Sequence, residues 1–177
     1  MKLRPSQMKA TFKMDPFPHV LLEDFFSKIE MDIVLDETRR LDSVLRSPEH
    51  SGSARHEETG QTLKHNFGAF LNDVISNSEI ITLTRNHIYK ELVEQIDCKW
   101  WVDVWKYNNA QSFMLSRYND GQYYNCHSDL SQFTLLVWYH RMPRTFTGGD
   151  LIFTDYQYTI PCVNNTGIIF PGPLRHE

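Results

Sequence analysis

From Phe113 to Gly172 the chain is a succession of short β-prone runs broken by glycine-bearing corners, and no other feature restricts its fold as much. Phe113-Met-Leu-Ser-Arg-Tyr118 and Gln122-Tyr-Tyr-Asn-Cys-His127 flank Asn119-Asp-Gly121, a pattern that predicts a hairpin. Phe133-Thr-Leu-Leu-Val-Trp-Tyr139, Phe146-Thr-Gly-Gly-Asp-Leu-Ile-Phe153 and Thr166-Gly-Ile-Ile-Phe-Pro-Gly172 follow, rich in the aromatic and β-branched residues that suit a pleated, half-buried surface. Such a series predicts an antiparallel jelly roll.

The N-terminal half reads as a support layer. Phe17-Pro-His-Val-Leu-Leu22 predicts a strand, and Ser27-x-x-Glu30 is a capping box opening a helix to about Leu45. Ile29, Ile33, Val34, Leu41 and Val44 are expected to form its buried stripe. A second helix is expected from Ser78 to Ile96, burying Ile81, Leu83, Ile88, Leu92 and Ile96, with Trp100, Trp101 and Trp105 packing between helix and sheet. The fold class expected is therefore mainly β with flanking helices (α+β): a double-stranded β-helix, or jelly-roll, core supported by two N-terminal-half helices. Between the helices, Ser47 to Gln61 is polar and glycine-bearing, an exposed loop or a lid, and His50, His56 and His65 are expected to be solvated with it.

Composition bounds the function. At 177 residues, 41% hydrophobic and 13% aromatic, one domain spanning 1–177 is expected, with ample apolar mass for a core. A net charge of -4 argues against a nucleic-acid-binding surface. Met1-Lys-Leu-Arg-Pro is not followed by the apolar stretch of a signal peptide, and no run has the length of a membrane span, so a soluble, cytoplasmic protein is expected. Cys98, Cys126 and Cys162 are an odd set without Cys-x-x-Cys spacing, which suggests free thiols.

Within this frame His127-Ser-Asp129, with His176 further on, has the makings of a metal site. On a strand, residues i and i+2 point to the same side, so an imidazole and a carboxylate can share one metal. A second imidazole would complete one face of an octahedron and leave three positions open, the arrangement of non-heme Fe(II) oxygenases. Taken alone His-x-Asp is weak: with 8 His in 177 residues, chance supplies about half an occurrence. Cys126, next in the chain, is expected to face the other way.

The order and spacing of the surrounding residues add to this. Arg117-Tyr118-x-x-Gly121-x-Tyr-Tyr124-x-x-His127-x-Asp129, Thr134-Leu-Leu, Phe146-x-Gly-Gly-Asp-Leu, Ile-Ile-Phe170-Pro-Gly and Arg175-His176-Glu177 together resemble the 2-oxoglutarate- and Fe(II)-dependent dioxygenases. The likeness is greatest to the small bacterial and phage-type members of their prolyl 4-hydroxylase branch, and it covers the chain from about Phe17 onward. The resemblance implies that His127, Asp129 and His176 hold the metal and that Tyr118 lies beside 2-oxoglutarate. Trp138 stands where many members have a tyrosine that touches the far carboxylate of the cosubstrate. Tyr124 is implied as a substrate contact. Implied cofactors are Fe(II), 2-oxoglutarate as cosubstrate, dioxygen and ascorbate. The implied reaction is hydroxylation of a C–H bond, foremost in a peptidyl proline and otherwise in a small molecule, with succinate and CO2 as coproducts.

The family's usual Arg or Lys on the strand after the distal histidine has no counterpart before Glu177, so the chain is expected to lack its last C-terminal strand, unless Lys106, Arg117 or Arg141 supplies the cation. Two rival classes stay open: a cupin-like metal-binding isomerase or sugar-binding protein on the same barrel, and a non-catalytic β-sandwich module.

Overall fold

The structure, a computed structural model, describes residues 8–51, 56 and 58–177. Its centre is a sheet of strands β1 (Lys9–Lys13), β2 (His19–Glu23), β8 (Thr166–Pro171) and β5 (Phe133–Trp138), in the spatial order β1-β2-β8-β5 and antiparallel throughout. Both faces of this sheet are covered, which is why β2 and β8 read as unbroken apolar runs (Val20-Leu-Leu and Ile168-Ile-Phe) and not as alternating ones. Val20, Leu22 and Ile169 belong to a core shared with the helices, whereas Ile168 and Phe170 face a second cluster with Phe17, Leu151, Phe153 and Ile160.

That second cluster is closed from the other side by a smaller sheet. Strands β6 (Leu151–Phe153) and β7 (Tyr158–Ile160) form a hairpin, and His176 bridges both Phe153 and His127. The chain leaves the central sheet at Pro171-Gly172 and enters the smaller one at His176, so one stretch of backbone serves both. Strands β3 (Phe67–Phe70) and β4 (Met114–Arg117) pair separately.

The helices fill one side of the central sheet. Helix α1 (Lys28–Leu41) has the expected capping box, with Ser27 accepting from Glu30 N and the Glu30 carboxylate returning to Ser27 N. A short α2 (Leu71–Val74) follows β3. The second expected helix is present as α3 (Glu79–Asn86), a π turn at His87–Glu91 and α4 (Leu92–Gln95), opened by Ser78. Buried Glu37 accepts from the Ile80 N–H at 2.6 Å and so places a carboxylate at the positive end of α3. A further helix, α5 (Lys99–Lys106), was not anticipated; its Trp101 and Trp105 stack at 5.4 Å and meet Phe133 of β5.

Several expectations are corrected. Helix makes up about 32% and strand about 25%, so the chain is mixed and not mainly β. The reason is local: α5 adds helix, and the expected strand from Phe146 shortens to Leu151–Phe153 because Gly148 and Gly149 take φ of 78° and 83°, which an extended strand cannot contain. Among the described residues the sheets do not close into a barrel. Ile29 and Ile33 point outward (54% and 37% exposed), and α1 buries Glu37 alongside the expected Val34 and Leu41. Trp100 is half exposed. Part of the expected lid, residues 52–55 and 57, and the N-terminal residues 1–7 lie outside the described residues. No helix among the described residues is long and apolar enough to cross a membrane.

Candidate metal centre

The segment carrying His127 and Asp129 is not the second arm of a hairpin. Residues 63–65 pair with 123–125, and β3 pairs with β4, so both arms of the expected hairpin lie along the same partner in the same direction. Residues 118–122 are an excursion between them, turned by Gln122 N to Asn119 O at 3.1 Å with Gly121 at φ 72°. The Asn-Asp-Gly signal is thus a turn, as its chemistry demands, but one that bulges out of a strand.

Beyond the excursion the chain is pinned where the ligands sit. His127 and His176 exchange both backbone hydrogen bonds at 2.9 Å, and the Asp129 N–H donates to the Gly172 carbonyl at 2.9 Å. Gly172 is required there, because a Cβ would lie 2.2 Å from the Ser131 carbonyl oxygen. The result brings the three sequence-predicted ligands together: one donor atom from each of His127, Asp129 and His176 lies within 4.8 Å of the others. Each imidazole Nε2 is 3.8 Å from a different Asp129 oxygen.

The other nitrogen of each ring fixes what those Nε2 atoms can do. His127 Nδ1 is 2.9 Å from the Asn125 carbonyl and His176 Nδ1 is 2.8 Å from the Leu174 carbonyl, in both cases two residues back. A carbonyl only accepts, so Nδ1 carries the proton and Nε2 turns its lone pair to the centre. The Asp129 carboxylate accepts from Thr134 Oγ1 at 2.5 Å, and that hydroxyl is 3.1 Å from Ser131 Oγ. Thr134 is a supporting residue that sequence reasoning placed only within a run; its position on the same face of β5 as Leu136 was the available signal.

Burial is uneven around the cluster. The His127 and His176 side chains are 7% and 5% exposed, against 33% for Asp129, so the open side is the carboxylate's. His176 sits edge-on to Phe170 at 4.9 Å, and Tyr124 lies flat on His127 at 3.7 Å. Desolvation, and secondly the neighbouring His176, hold the His127 imidazole below its ordinary pKa. Its neutral form, the one that binds metals, therefore persists into more acidic solution.

The remaining candidates are arranged about this cluster. Tyr118 stands in the excursion, half exposed overall, with its phenol pushed up to about 12 by desolvation and by Tyr124 beside it, so it remains a donor. Trp138 lies on the face of β5 turned to the second cluster, and its indole N–H is already engaged by the Gly149 carbonyl at 3.0 Å. Cys126 contacts Thr154 Oγ1 at 3.4 Å and stands apart from the ligands. Of the cations considered, Arg117 pairs with Asp42 and covers the Phe67 ring, while Lys106 and Arg141 are exposed. His65, expected in solvent, stacks on Tyr123 at 4.4 Å with its Nε2 buried. All three cysteines are free.

No protein-family model and no curated protein matches this chain. Two imidazoles and one carboxylate, converging from one side and open on the other, fit a divalent first-row metal with coordination positions to spare.

Proposed function

We propose that the chain is an Fe(II)- and 2-oxoglutarate-dependent dioxygenase that hydroxylates a C–H bond, foremost in a peptidyl proline. The observation that carries this reading is the orientation of the two histidines, each held through Nδ1 by a backbone carbonyl so that Nε2 faces the Asp129 carboxylate. Such preset donors bind a metal without rearranging, and three protein ligands leave room for a bidentate cosubstrate and dioxygen. The facing of two antiparallel sheets across Phe153, Ile168 and Phe170 supports a double-stranded β-helix as the architecture.

Dioxygen is the oxidant of the proposed reaction, and Fe(II) would let it take two electrons from 2-oxoglutarate, giving succinate and CO2, and two from the substrate C–H bond, with ascorbate as a reductant that keeps the iron ferrous. The chain's own residues hold and shape the site. Asp129 offsets part of the metal's charge, Thr134 keeps that carboxylate from rotating, and Phe170 and Tyr124 exclude water from the imidazoles. Tyr118 and Tyr124 offer aromatic walls suited to a prolyl ring on the open side. The proposed setting is cytoplasmic, with a peptide or small-molecule substrate and no nucleic-acid partner.

The test is mass spectrometry of a proline-rich peptide incubated with protein, Fe(II), 2-oxoglutarate and air. The expected product has gained one oxygen atom, and none forms with His127→Ala. Tight metal binding with no oxygen gained on any peptide or 2-oxoglutarate consumed would favour the cupin-like alternative.

A further inference from the structure

Outside the metal centre the most unusual group is Lys64. Its side chain is fully buried, yet among the described residues no carboxylate pairs with it, and burial alone pushes its amine down to about 8. Its polar contact is the Met114 sulfur at 3.0 Å, a weak acceptor for an ammonium. Asn66, two residues on and equally buried, has neither end of its amide bonded. A buried cation beside an unsatisfied amide is costly, and folded proteins keep such groups only where something else answers them.

The fold has made room for this arrangement. A Cβ on Gly68 would lie 2.3 Å from Lys64 Nζ, so the ammonium occupies space that only glycine leaves free. The cover over it is Met114, itself 37% exposed and the most flexible of apolar side chains. One side-chain rotation therefore separates the ammonium from solvent.

Direction along the strand says which ligand could arrive there. Lys64 is bridged to Tyr124, whose ring lies back over His127, while the lysine runs the opposite way to Gly68, four residues or roughly 13 Å along the strand. A 2-oxo acid chelating the metal extends its far carboxylate only about 5 Å, too short to pass Tyr124. An extended substrate is long enough.

We infer that Lys64 and Asn66, capped by Met114, form a carboxylate-binding subsite that selects an acidic substrate. The anion displaces the Met114 sulfur and takes up the ammonium and the Asn66 amide. The subsite stands on its own geometry; its assignment to the oxidised substrate rests on the dioxygenase reading.

Lysine-selective 13C NMR of the whole chain tests it, with the Lys64 resonance identified by its loss in Lys64→Met. Titration with N-acetylglutamate, and with a proline peptide carrying glutamate, should shift that resonance saturably in both wild type and His176→Ala, whereas the glutamine counterparts should not. Saturation by N-acetylglutamate marks a free small acid as sufficient; saturation by the peptide alone marks a peptidyl carboxylate. Lys64→Met, checked for folding by circular dichroism, should bind the glutamate peptide about tenfold or more weakly and the glutamine peptide equally well. A Lys64 resonance indifferent to carboxylates, or glutamate-peptide binding unchanged in Lys64→Met, would overturn the subsite. Absent turnover with this binding intact would count against the dioxygenase reading alone.

Discussion

At the scale of single residues, the candidate metal centre owes its order to groups that would never touch the metal. Thr134 is the clearest case, because its hydroxyl is the side-chain donor to the Asp129 oxygen facing His176. Thr134→Val keeps the shape and removes that donor, and it is expected to weaken Mn(II) binding roughly tenfold by calorimetry without loss of fold. His127→Ala and His176→Ala should each abolish Fe(II)-dependent turnover while the circular dichroism spectrum stays that of the wild type. Lys64 supplies a pH prediction. Its amine falls from 10.5 to about 8 on folding, so the unfolded chain binds more protons between those limits and stability rises with pH across them. The penalty, roughly 3 kcal/mol, is fully present below pH 8 and relieved above 10.5. Lys64→Met removes it, so the variant's advantage in chemical denaturation should be largest near neutral pH and shrink toward pH 10.

At the scale of elements, corners decide where the ligands go. Asn165 takes φ 63° at the start of β8, and its side chain both accepts from Phe26 N and donates to Phe26 O at 2.8 Å. It thereby ties the beginning of α1 to the strand that ends at the candidate metal centre. Asn165→Ala is expected to cost about 2–3 kcal/mol in urea unfolding, from two lost hydrogen bonds and a left-handed backbone that alanine disfavours. Gly172→Ala acts nearer the site: the new methyl meets the Ser131 carbonyl, and the 129–132 turn must move. Both stability and Mn(II) affinity should fall. The elements also show where sequence reasoning stops. Asn119-Asp-Gly121 specifies a turn, but hairpin and bulge share that chemistry, and only the partner at residues 63–70, some fifty positions earlier, distinguishes them. Ile29 and Ile33 carry no sign of facing outward, because Glu37 takes an inward place through a bond to the distant Ile80 N–H. Lys64 was illegible for the same reason, as burial is conferred by β4 and not by its neighbours in sequence.

For the whole molecule, what was legible is what local spacing encodes. The nearness of His127 and Asp129, the capping box at Ser27 and the apolar runs of β2, β5 and β8 appear where expected, although the strand expected to carry the pair is reduced to an isolated bridge at His127. The gathering of His176 onto them depends on the chain passing from one sheet to the other at Gly172, which spacing alone does not convey. Both features converge on one claim, that a metal held by these three residues activates dioxygen with a 2-oxo acid. The most direct test is succinate formation from 2-oxoglutarate by the Fe(II)-loaded protein, compared with His176→Ala under the same conditions. The account predicts succinate from the wild type, increased by a proline peptide, and none above background from the variant. Metal bound by the wild type with no succinate formed, or equal succinate from both proteins, would contradict it.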